Sequence, residues 1–193
     1  MQPGIFALSG WDLVGAYPLS VEEAKELINK DLDNRWINRG AYDLLGENSE
    51  ATRSPFGIPK AKTLYGSLPY QLNDPHSFVS QLKKYLRVRK IYKIPFAQIS
   101  RVVHFDHPSL FGILYTLPQT NHLVLCAMNF GTNPVSEKIK FSLFQKTNAI
   151  NLMEEKSEKK EVSSKKFLVK LNGLEGKVIL FRPYREILSL YES

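Results

Sequence analysis

Only one cysteine, Cys126, occurs among 193 residues, so no intrachain disulfide forms and no cysteine-built metal cage is available. That economy fits a reducing compartment, and the cytoplasm is the expected location. Long apolar runs are also missing. The stretches Ile5 to Leu8, Leu123 to Met128 and Val178 to Phe181 end after a few residues, whereas a membrane helix needs ~20. The opening Met1-Gln2-Pro3-Gly4 lacks a basic n-region, and the apolar run behind it is too short for a signal peptide. Neither a leader nor a membrane partner is therefore expected. Acidic residues are absent from Pro75 to Phe105, where Lys83, Lys84, Arg87, Arg89, Lys90, Lys93 and Arg101 carry the whole excess behind the net charge of +7. No internal repeat of fixed period is present.

What is there divides into two parts with different patterning. From Gly4 to Leu8 the residues are apolar on both faces of a would-be strand, the pattern of a strand buried between layers in a parallel sheet. Ser20-Val-Glu-Glu23 has capping-box spacing and opens a helix with Ala24, Leu27 and Ile28 on one face. Residues 31 to 73 show no sustained period, are broken by Pro55, Pro59 and Pro69, and read as a long insertion. Asp74 as N-cap with Pro75 at the first position predicts a second helix running to about Ile91. Its apolar residues Phe78, Leu82, Tyr85 and Leu86 recur at helical spacing, with Lys83, Arg87 and Lys90 on another face. A positive stripe can bind phosphate backbones, but no recognition motif accompanies it, so it reads as a solvated face and no nucleic acid is expected.

Beyond Pro95 aliphatic and aromatic runs recur at short intervals: Phe96 to Phe105, Leu110 to Leu117, His122 to Phe130, Val135 to Phe144, Lys166 to Leu171 and Lys177 to Arg182. Turn residues such as Asp106-His-Pro108, Gly131-Thr-Asn-Pro134 and Asn172-Gly173 separate them. About six short strands of this kind predict an antiparallel β-sandwich. The polar tract from Glu154 to Lys166 reads as an exposed hairpin tip or loop.

A lone buried strand with one helix leaves its edges unpaired, and each unmet backbone group in an apolar setting costs on the order of 1–3 kcal/mol. A full eightfold barrel needs ~250 residues, and a sandwich of ~90 leaves only about 100 here. The fold class expected is therefore an α/β barrel remnant (last β-strand, insertion loop and helix) followed by an all-β antiparallel sandwich. The other barrel units would lie on another polypeptide or be missing.

Four stretches narrow this further: Gln2 to Ala16 (QPGIFALSGWDLVGA), Arg35 to Leu44 (RWINRGAYDL), Leu64-Tyr-Gly66 and Asp74-Pro-His-Ser-Phe78. Together they closely resemble the C-terminal region of the trehalose synthase family, the maltose α-D-glucosyltransferases of the α-amylase superfamily. The resemblance runs over essentially the whole chain, strongest over residues 2 to 92 and looser beyond. It implies a (β/α)8 barrel followed by a β-sandwich, with residues 1–94 as the C-terminal part of the catalytic barrel and 95–193 as the sandwich domain. It implies retaining chemistry with a carboxylate nucleophile, a carboxylic acid and a further aspartate. The family places these on earlier barrel strands. No position of this chain matches their motifs, so no catalytic residue is assigned, and the isolated chain is expected to be inactive.

The candidate substrate-binding residues are Trp11 and Asp12, directly after the expected last strand, and Arg35, Trp36, Arg39 and Tyr42 in the aperiodic segment. Each has two readings, sugar-pocket wall or loop packing. The implied partners are maltose or trehalose, once the missing barrel is supplied, and an N-terminal partner chain. No cofactor is expected. Asp31-Leu-Asp-Asn34 lacks the glycine and terminal glutamate of a calcium loop, His104-Phe-Asp-His107 reads as a turn, and no metal is assigned. Cys126 reads as a small buried hydrophobe.

Overall fold

The structure is a computed structural model describing residues 2–118, 120, 122–140, 147–154, 160–162 and 166–183. It separates into two compact units, one of Phe6–Lys84 and one joining the residues up to Ile5 with the chain from Tyr85 onward.

The first unit is helical and looped. Ser9 caps α1 (Gly10–Val14) and Ser20 caps α2 (Val21–Asp31), each through a reciprocal box with the residue three positions on. Between Ser20 and Glu23 the backbone N–H of each donates to the other's side-chain oxygen, at 2.8 and 3.2 Å, so two orphan donors of the first turn are satisfied. Ala24 on α2 is completely buried beside Leu19 and Ala61, with Ile28, Trp36 and Ile37 packed around them. A 3₁₀ turn (Asn34–Asn38), α3 (Leu68–Asn73) and the start of α4 (Phe78–Ile91) follow, the residues of α4 from Tyr85 belonging to the second unit. Gln71, 2% exposed, ties the segments together. Its amide donates to the carbonyls of Leu13 (2.8 Å) and Gly66 (2.7 Å), and its oxygen accepts from Val79 N–H.

Two sequence expectations are corrected here. Asp74 does not cap the long helix. It closes α3, its carboxylate accepts from His76 N–H at 2.8 Å, and the Ser77 hydroxyl accepts from Ser80 N–H at the start of α4. A three-residue turn between Asp74 and Phe78 thus replaces the expected first helical turn. Secondly, Gly4 to Leu8 forms no strand. Ile5 is 100% exposed, Phe6 50% and Leu8 38%. A segment apolar on both sides is a buried strand only when neighbours pair both edges, and among the described residues none does. The "last β-strand" of the barrel remnant is therefore not formed, and no barrel closes.

The second unit is antiparallel. β1 (Gln98–Val103), β2 (Leu110–Thr116), β3 (Leu123–Asn129), β8 (Gly176–Pro183), β5 (Thr147–Asn151) and β6 (Lys160–Val162) lie side by side in that order. β4 (Val135–Lys140) and β7 (Lys166–Leu171) form a second, two-stranded sheet. Five of these lie within the aliphatic runs of the sequence and β8 reaches one residue past its run at each end, while β5 carries a weaker pattern and β6, with Val162 buried, falls in the tract expected to be an exposed tip or loop. Part of the Val135 to Phe144 run and most of the Glu154 to Lys166 tract fall outside the described residues.

The larger sheet is covered on both faces. Leu114, Leu125, Ile179 and Phe181 pack with Ile139 of β4 and with Val169 and Leu171 of β7. On the opposite face Tyr115, Val124, Val178 and Leu180 pack with Ile94, Ala97 and the Tyr85, Val88 and Tyr92 side chains from the end of α4 and the turn after it. This explains why β3 and β8 are almost continuously apolar although antiparallel: alternate residues meet different layers, and Val124, Leu125, Ala127 and Val178 to Phe181 are all buried, with Cys126 partly so. Asn129, wholly buried at the end of β3, has all its polar capacity used. It accepts from Ser109 Oγ (2.8 Å) and Gly131 N–H (2.9 Å), and it donates to the carbonyls of Asn133 and Asn172. A buried amide so satisfied pins three loops at one point.

Among the described residues, no helix is long and apolar enough to cross a membrane.

Candidate functional site

The six candidate residues lie in the first unit, and their contacts fall into two groups. In the first, Trp11 and Asp12 sit on α1, a helix of five residues. The Trp11 indole N–H donates to the Ala16 carbonyl, and its ring meets Tyr42 edge-on with centroids 6.5 Å apart. Gly10 permits this approach, because a Cβ there would run into the Tyr42 ring and hydroxyl. Asp12 completes the capping box: its Oδ2 accepts from Ser9 N–H at 3.0 Å and Ser9 Oγ at 2.9 Å. The Ser9 backbone bond, then the hydroxyl bond, holds its carboxyl below the usual range. That carboxylate accepts two local bonds and stays solvent-accessible.

The second group centres on Asp33, which belongs to the stretch that falls short of a calcium loop. Its carboxylate accepts two hydrogen bonds from Arg35, Nε to Oδ1 and Nη2 to Oδ2, both 2.9 Å, and a third from Arg39 Nη1 at 3.1 Å. The Arg35 side-chain bonds, with the Arg35 backbone bond next, lower its pKa to about 2. Arg39 lies over the Trp36 ring, 5.4 Å from its centroid, and the Trp36 indole donates to Asp31 Oδ2 at 2.9 Å. Both aspartates of the calcium-like stretch thus bind side chains. The cluster has an aromatic face, two guanidinium groups and two carboxylates, which is chemistry suited to sugar hydroxyls or acidic groups. The Asp-x-Arg spacing of Asp33 and Arg35 was the signal available for this clamp.

Tyr42 also borders an open cleft of roughly 380 Å³, walled by Asp43, Asn48, Ala51, Arg53, Ser54, Pro55 and Lys60 with Ala41. Residues near 41, 53 and 60 are brought together by single bridges, Ala41 with Lys60 and Arg53 with Pro59. Asp43 accepts from three backbone N–H groups, Gly46 at 2.9 Å, Glu47 at 3.2 Å and Asn48 at 2.8 Å. These bonds, Asn48 foremost, lower its pKa.

Other sequence candidates lie in the second unit. His104 pairs with Asp106 at 3.5 Å, and the His107 ring nitrogen shares a 2.8 Å hydrogen bond with Ser109 Oγ. Glu137 accepts the backbone N–H groups of Asp106 and His107, holding the turn that the sequence indicated. Burial pushes the Cys126 thiol up to about 11, far from a nucleophilic thiolate. Among the described residues no group of three or more His, Cys, Asp or Glu is placed to hold a metal ion.

No protein-family model and no curated protein matches the sequence. Among solved structures the chain is similar to an Anoxybacillus α-amylase, at 11% identity and a TM-score of 0.45 over 54% of this chain and 22% of that one. It is similar to a noncanonic maltogenic α-amylase from Thermotoga neapolitana, at 18% identity and 0.46 over 57% and 27%. A GH30 endoxylanase from Clostridium papyrosolvens overlaps at 15% identity and 0.41 over 53% and 28%. The chain spans less than a third of each of these proteins, and the functional reading rests on its own residues.

Proposed function

We propose that this chain is the C-terminal portion of a cytoplasmic trehalose synthase that interconverts maltose and trehalose by intramolecular glucosyl transfer, and that it is inactive by itself. In this reading residues 1–94 belong to the end of the catalytic barrel and 95–193 form the appended β domain. The four sequence stretches that resemble the family point to it. The structural observation that supports it most is the Gly4 to Leu8 segment, strand-like in pattern but exposed and part of no strand. Such a segment has the composition of an interior barrel strand awaiting neighbours on both edges. The nucleophile and acid would come from the absent barrel strands, and a partner chain N-terminal to this one would carry them. Trp11, Asp12, Arg35, Trp36, Arg39 and Tyr42 would then face maltose or trehalose at the rim.

The test is to follow maltose by NMR with the purified chain alone, and again after co-expression with a polypeptide carrying the preceding barrel units of a trehalose synthase. The expected result is no trehalose from the chain alone, and co-purification with trehalose formation from the pair. Conversion by the chain alone, or no association, overturns the reading. The alternative of a stand-alone carbohydrate-binding or interaction module draws on the two-sided core of the second unit. It requires saturable binding of maltose or trehalose by the chain without any partner.

A further inference from the structure

The cleft beside Tyr42 holds an imbalance between what its polar groups have spent and what they have left. The carboxylate in its wall, Asp43, accepts from three backbone N–H groups and keeps its negative charge, which acts on Lys60. Its cations are each anchored but not exhausted. Lys60 Nζ donates to the carbonyls of Asn48 (2.8 Å) and Ser49 (3.0 Å), leaving one of three hydrogens. Arg53 Nη1 donates to the Gly57 carbonyl at 2.8 Å, leaving the other N–H groups of its guanidinium fork. Ser54 Oγ accepts from Ile58 N–H and keeps its own hydrogen, and Tyr42 adds a phenol. Glu47 and Glu50 belong to the same loop but not to the lining. The cleft therefore offers unused donors and, with Arg53 and Lys60 set against the single carboxylate of Asp43, an excess of positive charge, both cations being held by backbone carbonyls.

We infer that this cleft binds a small organic anion of the phosphate-ester class, its acceptor oxygens on Arg53 and Lys60 and its organic body against Tyr42 and Pro55. A guanidinium fork plus a point-charge ammonium matches an oxyanion with several acceptor oxygens. The cleft volume of roughly 380 Å³ exceeds what the oxyanion alone fills, leaving room for a body of about hexose size. This site goes beyond the glucosyl-transfer reading, because it lies in the described chain and needs no barrel to complete it. A carboxylate shares the recognising chemistry, and the test separates the two.

The experiment is calorimetric titration of the full chain with glucose 6-phosphate, glucuronate, inorganic phosphate and glucose at low ionic strength. The phosphate ester is expected to bind, glucuronate more weakly, and glucose at least about tenfold more weakly than the ester. Arg53→Gln and Lys60→Met are each expected to weaken the ester by about tenfold at unchanged melting temperature, with Arg53→Lys recovering part of the loss. Lys60 also clamps a loop, so if Lys60→Met melts early, Arg53→Gln decides alone. Glucose binding as tightly as its phosphate ester, no binding of any probe, or an unaffected Arg53→Gln overturns the inference. Inorganic phosphate binding as tightly as the ester overturns the role given to Tyr42. None of these outcomes bears on the maltose assay.

Discussion

Asp33 holds Arg35 and Arg39 through one carboxylate on an exposed turn. Because its pKa is lowered to about 2, while an ordinary aspartate titrates near ~3.9, the unfolded chain takes up the proton first as pH falls. The stabilisation is thus fully present above the ordinary value and is lost on descending through the folded one. Asp33→Asn is expected to lower the melting temperature modestly at neutral pH, since exposed pairs contribute little. The gap from the unaltered protein should close between about pH 4 and pH 2. Melting curves of both proteins across that range check it, and a gap independent of pH would refute the assignment. Residues of this sort were only partly legible beforehand. Arg35, Trp36 and Arg39 stood out by density, but the Trp11–Tyr42 contact joins positions far apart in the chain through a glycine that gave no sign of its purpose. Asp12, weighed as pocket wall or loop packing, has a local partner in Ser9.

At the scale of elements, the turn between β7 and β8 is the tightest constraint. A Cβ on Gly173 would fall onto the Thr132 backbone carbonyl, and the neighbouring Leu174 already has φ of 59°. Gly173→Ala is expected to destabilise the protein by about 1–3 kcal/mol, the usual range for overpacking, and urea denaturation measures it. An unchanged midpoint would mean that the two loops are not in contact. Asn172-Gly173 was legible as a turn because both residue types favour one. The capping box of α2 and the aliphatic runs of β1 to β4, β7 and β8 were legible for similar reasons, each being a local pattern. β5 was not: Thr147 to Asn151 is mostly polar, and its place comes from pairing with β8. α1 and α3 are too short to show a helical period.

For the whole molecule, Ile5, Phe6 and Leu8 gather exposed apolar surface into one short segment. Amides of residues 5 to 8 are expected to exchange at the earliest times in hydrogen exchange, since no strand protects them. Replacing Ile5 and Phe6 by serine should reduce binding of an apolar dye and raise solubility without moving the melting temperature. Slow exchange at these positions would show that another element covers them. The barrel expectation illustrates where sequence reading stops. Apolar character on both faces was visible in the residues, but a strand exists only through partners, and pairing is a property of neighbours that one short segment cannot encode.

The large sheet's double covering also decides how the protein can be cut. The turn that carries Ile94 and the Tyr85 and Val88 side chains of α4 shield Tyr115, Val124, Val178 and Leu180. A fragment cloned from residue 95 would leave these side chains wet and prone to clump. One begun upstream of Tyr85 would carry its own lid and stay a tractable specimen.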